Sequence, residues 1–173
     1  MQFAIPNLRH LRVFLEVARH RSISKAAPRV FLSQPAITQA IGKLETLLDT
    51  ELFERHSNGM FMTSAGKVWN TRVLRCIDYL ERGLRSALRG SPGQSRATSL
   101  LPLLTTTQLR ALIAVTENHS FSVASRQLEL SQSSLHRASR ELEEQLGVTL
   151  FEKARSSIMP TRSAEQLSRA AKL

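Results

Sequence analysis

The 173-residue sequence contains a single cysteine, Cys76, so no intrachain disulfide can form. That fits a reducing compartment, and a cytoplasmic location is expected. Cys76 lies in a helical stretch and reads as a small packed residue rather than a redox sensor. Aromatics supply only 5% of the residues, so the cores must be built mainly from Leu, Ile, Val and Ala. None of the seven glycines belongs to a phosphate-cradling loop. His10, His20, His56, His119 and His136 lack metal-ligand spacing, so neither a metal nor a cofactor is expected. No catalytic signature is present either, which argues against an enzyme. No apolar run approaches the ~20 residues of a membrane span. The opening Met1-Gln2-Phe3-Ala4-Ile5-Pro6 has neither the basic start nor the apolar stretch of a signal peptide. No membrane partner is expected.

Basic charge is plentiful. Lys and Arg number 24 against 14 Asp and Glu, a net charge of +10, of which residues 1–90 carry +7. Such a surplus favours a polyanionic partner, although an acidic protein or a membrane surface would also attract it. Most of the cations are Arg, whose planar fork suits phosphate and guanine.

The chain also repeats itself. Residues 11–66 align with 109–164 without a gap at a constant offset of 98, and 17 of the 56 positions are identical. Leu32-Ser33-Gln34 matches Leu130-Ser131-Gln132, Leu44-Glu45 matches Leu142-Glu143, and Leu52-Phe53-Glu54 matches Leu150-Phe151-Glu152. The matches fall largely on apolar positions, as duplicated cores require.

Helical spacing places a first helix near Leu8–Arg19, with Leu11, Phe14, Leu15 and Ala18 inward. A short second helix begins near Ser24, with Pro28 in its first turn or just past it. Ser33 is a natural N-cap for a third helix, about Gln34–Leu48. This third helix turns Ile37, Ala40, Ile41, Leu44 and Leu48 inward, and Gln34, Pro35, Thr38, Gln39 and Gly42 outward. Two short strands around His56-Ser57-Asn58-Gly59 read as a hairpin with an Asn-Gly turn. A long helix follows from Ser64, with Trp69, Val73, Ile77, Leu80 and Leu84 in an a/d-like stripe. Gly90-Ser91-Pro92-Gly93-Gln94-Ser95 reads as a flexible linker by composition.

The blocks Ser22-Ile23-Ser24-Lys25-Ala26-Ala27, Ser33-Gln34-Pro35-Ala36-Ile37-Thr38, Leu44-Glu45, Leu52-Phe53-Glu54-Arg55 and Thr63-Ser64-Ala65-Gly66 resemble the N-terminal domain of LysR-type transcriptional regulators. The resemblance is dense over 5–90 and looser over 103–173. It implies a mainly α fold with small β wings: two tandem winged helix-turn-helix modules joined by a long linker helix. The expected boundaries are 1–63 for the first module and 64–89 for the linker or dimerisation helix. A flexible linker at 90–102, the second module at 103–162 and the start of a second linker helix at 163–173 complete the plan. The resemblance further implies a bacterial, sequence-specific regulator of transcription that binds double-stranded DNA. A small-molecule effector is expected only with a C-terminal effector-binding domain.

The outward face of the third helix is suited to that task, because amides at a helix N-terminus can meet base edges in the major groove. Gln34, Thr38 and Gln39 are the expected base readers, with Pro35 in apolar contact; family members more usually have Arg where Gln39 stands. Ser33 and Lys43 are expected at phosphate, and Arg55 on the wing at the backbone or minor groove. In the second module the corresponding residues are Ser131, Gln132, Ser133, His136, Arg137 and Arg140, with Lys153 and Arg155 on its wing. These form a more basic face that is expected to read a different sequence. The alternative is that the second module, or the whole chain, serves protein interaction without base-specific binding. The apolar stripe needs a partner in either case. Pairing of two chains into a homodimer is the favoured expectation, with half-sites ~34 Å apart or a multiple of that. Pairing of the two modules within one chain is the other.

Overall fold

The computed structural model describes residues 5–155 and 157–172. Residues 1–4 of the first expected module and the last residue of the expected second linker helix lie outside the described residues. The chain divides into two compact units between Cys76 and Ile77, a point inside the long helix expected as a separate segment. Among the described residues no single helix is long and apolar enough to cross a membrane.

In the first unit, α1 (Leu8–His20), α2 (Ile23–Val30) and α3 (Gln34–Leu48) pack on one another. Each starts at a polar cap: Asn7, Ser22 and Ser33 accept from backbone N–H groups in the first turn. Each ends on a non-glycine residue in the left-handed conformation, Arg21, Phe31 and Asp49. Helix α1 buries Leu8, Leu11, Val13, Phe14 and Val17. Leu15 and Ala18, expected inward, are only half-buried, because α1 is gripped by both α2 and α3 and its buried stripe follows that pair. Pro28 is the sixth residue of α2, inside the helix and beyond its first turn. Helix α3 buries Ile37, Ala40, Ile41 and Leu44, while Leu48 is half-buried.

The wing is an antiparallel pair, β1 (Phe53–His56) and β2 (Gly59–Met62), with His56 opposite Gly59. Its turn residues are therefore Ser57 and Asn58, and Gly59 opens the second strand rather than completing the turn. The glycine is needed for another reason. Its φ is 141°, and a Cβ there would lie 2.7 Å from the carbonyl oxygen of Arg21. That carbonyl accepts from the N–H of Met60 at 3.0 Å, binding the wing to the turn between α1 and α2.

The long helix α4 (Ser64–Ala87) starts in the first unit and finishes in the second. The second unit continues through short helical turns at Gln94–Arg96 and Leu101–Leu103 flanking α5 (Ala97–Leu100). This is where a flexible linker was expected. Only the Gly- and Pro-containing start of 90–102 has linker composition; Ala97, Leu100 and Leu101 are buried. The winged plan then recurs in α6 (Thr106–Asn118), α7 (Phe121–Leu128), α8 (Gln132–Leu146), β3 (Phe151–Lys153), β4 (Ile158–Pro160) and α9 (Arg162–Lys172). Its core gathers Ala111, Ala114, Val115, Ala124, Leu135 and Ala138, with Phe121, Leu128, Phe151 and Ile158 against it.

One device is built twice. Glu45 of α3 accepts from the N–H groups of Leu52 (2.8 Å) and Phe53 (3.3 Å). Glu143 of α8 accepts from Leu150 (2.7 Å) and Phe151 (3.1 Å). A charged acceptor bridging two backbone donors is among the stronger hydrogen-bond arrangements. Here it fixes the phase between the third helix and its wing. The repeated Thr63 and Thr161 close the other end of each wing, donating to the carbonyls of Glu51 and Thr149.

Candidate nucleic-acid interface

The first module gathers polar and basic groups around a cleft of about 680 Å³ between the starts of α2 and α3 and the wing. Lys25, Gln34, Arg55 and His56 line it, together with Ser22 and Ser24 at the α2 N-terminus. Two of these, Gln34 and Arg55, were expected from the sequence. Lys25, His56 and the two serines were not, because only the fold brings the α2 N-terminus and the wing to the same place. Ser22 caps α2: its hydroxyl accepts from the N–H of Lys25. The remaining N–H groups of that turn lack helical partners, an arrangement that favours an anion.

The expected readers stand free of the core. Gln34, Pro35, Thr38 and Gln39 are all exposed on α3, while Gly42 is half-buried. Thr38 donates to the carbonyl of Gln34 at 3.1 Å, which orients its methyl and hydroxyl. Ser33 is spent on its cap, accepting from Ala36 N at 3.4 Å. Lys43 is exposed three turns along α3, outside the cleft residues. Its charge acts with Arg9 on His10, whose pKa is lowered first by burial and then by these two cations. Phe31, left-handed at φ 53° and 91% exposed, stands bare just before α3.

The second module has a different exposed surface. Ser131 caps α8, accepting from Ser134 N, and its hydroxyl also meets Ser133 and Ser134. His136 is exposed but stacked on Phe121, with ring centroids 3.9 Å apart and planes 23° apart. Arg137 leans toward Glu141 at 3.8 Å. Gln132, Arg140, Lys153 and Arg155 are exposed. Where the first module has Lys25 and His56, the second has Val123 and Ala154. Lys153 and Arg155 keep charge on the second wing, and Arg137 and Arg140 add charge on the face of α8, where the first module has Gln39 and Gly42.

The stripe expected for pairing is not open. Val73, Leu80 and Leu84 are buried within the single chain, and Trp69 and Ile77 are half-buried. Leu80 and Leu84, expected in the pairing stripe, are thus covered within the single chain. Cys76 is half-buried and burial pushes its thiol pKa up, away from the reactive thiolate. No cluster of three metal-ligating side chains occurs among the described residues.

Comparison with known proteins places these features in one family. The model of the bacterial regulatory helix-turn-helix protein, lysR family, matches twice, at residues 8–67 and 106–165. The HTH-type transcriptional regulator GalR of Pseudomonas putida is 31% identical over 163 residues, covering 94% of this chain and 40% of that protein. The RuBisCO operon transcriptional regulator of Allochromatium vinosum is 36% identical over 101 residues, 58% of this chain and 33% of that protein. The chain thus spans well under half the length of these two relatives. Among solved structures, the CbnR DBD–DNA complex is similar at 34% identity with a TM-score of 0.40, covering 41% of this chain and 82% of that one. The chain belongs to the LysR family of bacterial regulatory helix-turn-helix proteins, and it carries that family's module in two copies.

Proposed function

We propose that the chain is a sequence-specific DNA-binding regulator of transcription in which α3 and α8 each enter a major groove. The observation that carries this reading is the division of α3: one face is buried, and the other presents Gln34, Pro35, Thr38 and Gln39 beside a basic cleft. Side-chain amides can pair with adenine edges, and Pro35 and the Thr38 methyl suit thymine. Lys25, Arg55 and the α2 N-terminus hold the phosphate backbone; Lys43 adds charge further along α3. On α8, Arg137 and Arg140 suit guanine, and His136, fixed by its stack on Phe121, is a pre-oriented donor or acceptor. The two heads then read unlike sequences. The kinship with named transcriptional regulators supports the same reading.

Selection of bound sites from a random duplex pool tests it, using the full chain, the Gln34→Ala/Thr38→Ala variant and the Arg137→Ala/Arg140→Ala variant. A two-part site is expected, with each variant relaxing one part. Equal losses of the α3 variant on selected and random DNA would refute base reading by α3. An α8 variant that selects the unchanged site would refute base reading by the second head and leave it a protein-interaction module.

A further inference from the structure

We infer that the pairing surface of α4 is occupied by α9 of the same chain, so that one polypeptide carries both heads and needs no second copy to present them. The DNA-binding role of those heads rests on the reading above; the pairing does not.

Within the second unit α9 runs antiparallel to the last three turns of α4. Ser163 Oγ donates to the carbonyl of Ala87 at 2.6 Å. Two turns further on, Ala170 lies against Gly83, where an added Cβ would come within 2.3 Å of the Ala170 Cβ. Leu167 closes the same contact, 3.7 Å from that position. Such proximity needs glycine on one helix and a small residue on the other. On the α4 side Leu80, Leu84, Ala87 and Leu88 are buried, and on the α9 side Ala164, Leu167 and Ser168. Thr98 of α5 donates to Glu81 at 2.8 Å, holding α4 from another direction.

The repeat explains why α9 and not a second α4 fills the place. At the 98-residue offset, α9 is the duplicate of the first turns of α4: Leu167 corresponds to Trp69, and Ala170 to Arg72. Two chains pairing through α4 in this register would bring Trp69 and Arg72 where Leu167 and Ala170 fit. An Arg against Gly83 has no room and loses its hydration, so the self-pair is disfavoured by the residues that favour the intrachain pair. What remains exposed on α4 forms no continuous stripe. Val68, Leu74 and Tyr79 are spaced by six and five residues, and Arg82 already sits over the Tyr79 ring at 5.0 Å. Scattered apolar residues of this kind do not make an interface.

The test is covalent capture in a Cys76→Ser background. The Ala87→Cys/Ser163→Cys chain should give an internally linked product of single-chain mass. Chains carrying only Ala87→Cys, mixed with chains carrying only Ser163→Cys, should give no covalent dimer. A covalent dimer in the mixture as the main product overturns the inference in favour of exchanged or paired chains. A second measurement does not depend on the link. Gly83→Ala should lower the unfolding midpoint by several degrees, and adding Ala170→Gly should recover most of that loss. A midpoint unmoved by Gly83→Ala overturns the inference too. Failure of the linked chain to bind DNA would overturn the DNA reading while leaving the intrachain link standing.

Discussion

Replacing Gly59 by Ala tests how the wing is held. The backbone at Gly59 has φ 141°, and the added Cβ would sit 2.7 Å from the Arg21 carbonyl oxygen. An L-residue in so sparsely populated a conformation costs about 1–3 kcal/mol. The oxygen that must retreat is the acceptor for Met60 N at 3.0 Å, and losing that bond costs about 0.5–1.5 kcal/mol more. Gly59→Ala should therefore destabilise the first module by about 2–4 kcal/mol, a large share of the 5–15 kcal/mol typical of a domain. Urea unfolding followed by circular dichroism measures it. Arg55 faces Met60 across the hairpin, so the same change should displace Arg55 and weaken DNA binding in a mobility-shift assay. Gly42→Ala is the control. No atom lies within 4 Å of a Cβ there and the site is inside α3, so stability should rise by about 0.5–1 kcal/mol. Loss below ~0.5 kcal/mol for Gly59→Ala would refute the reasoning, because the strain alone exceeds it.

Three further outcomes follow from the same geometry. Glu45→Ala and Glu143→Ala each remove an acceptor shared by two N–H groups, and each should cost about 2–4 kcal/mol in denaturant unfolding of its own module. Lys25→Ala should reduce the salt dependence of DNA affinity by about one charge, equally on selected and random DNA; a sequence-dependent effect would contradict a phosphate contact. His10 has its pKa held below the ordinary 6.5 by burial and by Lys43 and Arg9, so below that value the unfolded chain binds the extra proton more readily. Stability should be full above pH 6.5 and fall as the pH drops through the lower folded value. His10→Gln should flatten that part of the stability–pH profile, and an unchanged slope would exclude His10 as its source.

Much of the fold was legible because helix period and caps are local signals. Ser33 and Ser131 start their helices as caps, and the outward residues of α3 follow from a 3.6-residue period. The duplication was equally plain, since an unbroken offset carries most buried positions from one module to the other. Three features depended on tertiary contact and could not be read locally. The glycine at position 59 answers a carbonyl 38 residues earlier in the chain, not the turn beside it. The order of 94–103 comes from leucines that find a core. The fate of the α4 stripe depends on Gly83 meeting Ala170, a contact across 87 residues that no periodicity reveals. In the candidate site, the helix face was readable from pattern, whereas Lys25 and His56 joined it only through the close approach of the α2 N-terminus and the wing.

The paired carboxylates Glu45 and Glu143 have a consequence for how such a protein can change. Each anchors its wing from a half-buried position of its helix that is not among the exposed residues expected to read bases. Residues 34, 35, 38, 39 and 42 could be exchanged with 132, 133, 136, 137 and 140 as a cassette, with neither wing noticing. After duplication, one copy could drift toward a new target while the other kept the old one, and neither copy had to pass through an unfolded ancestor.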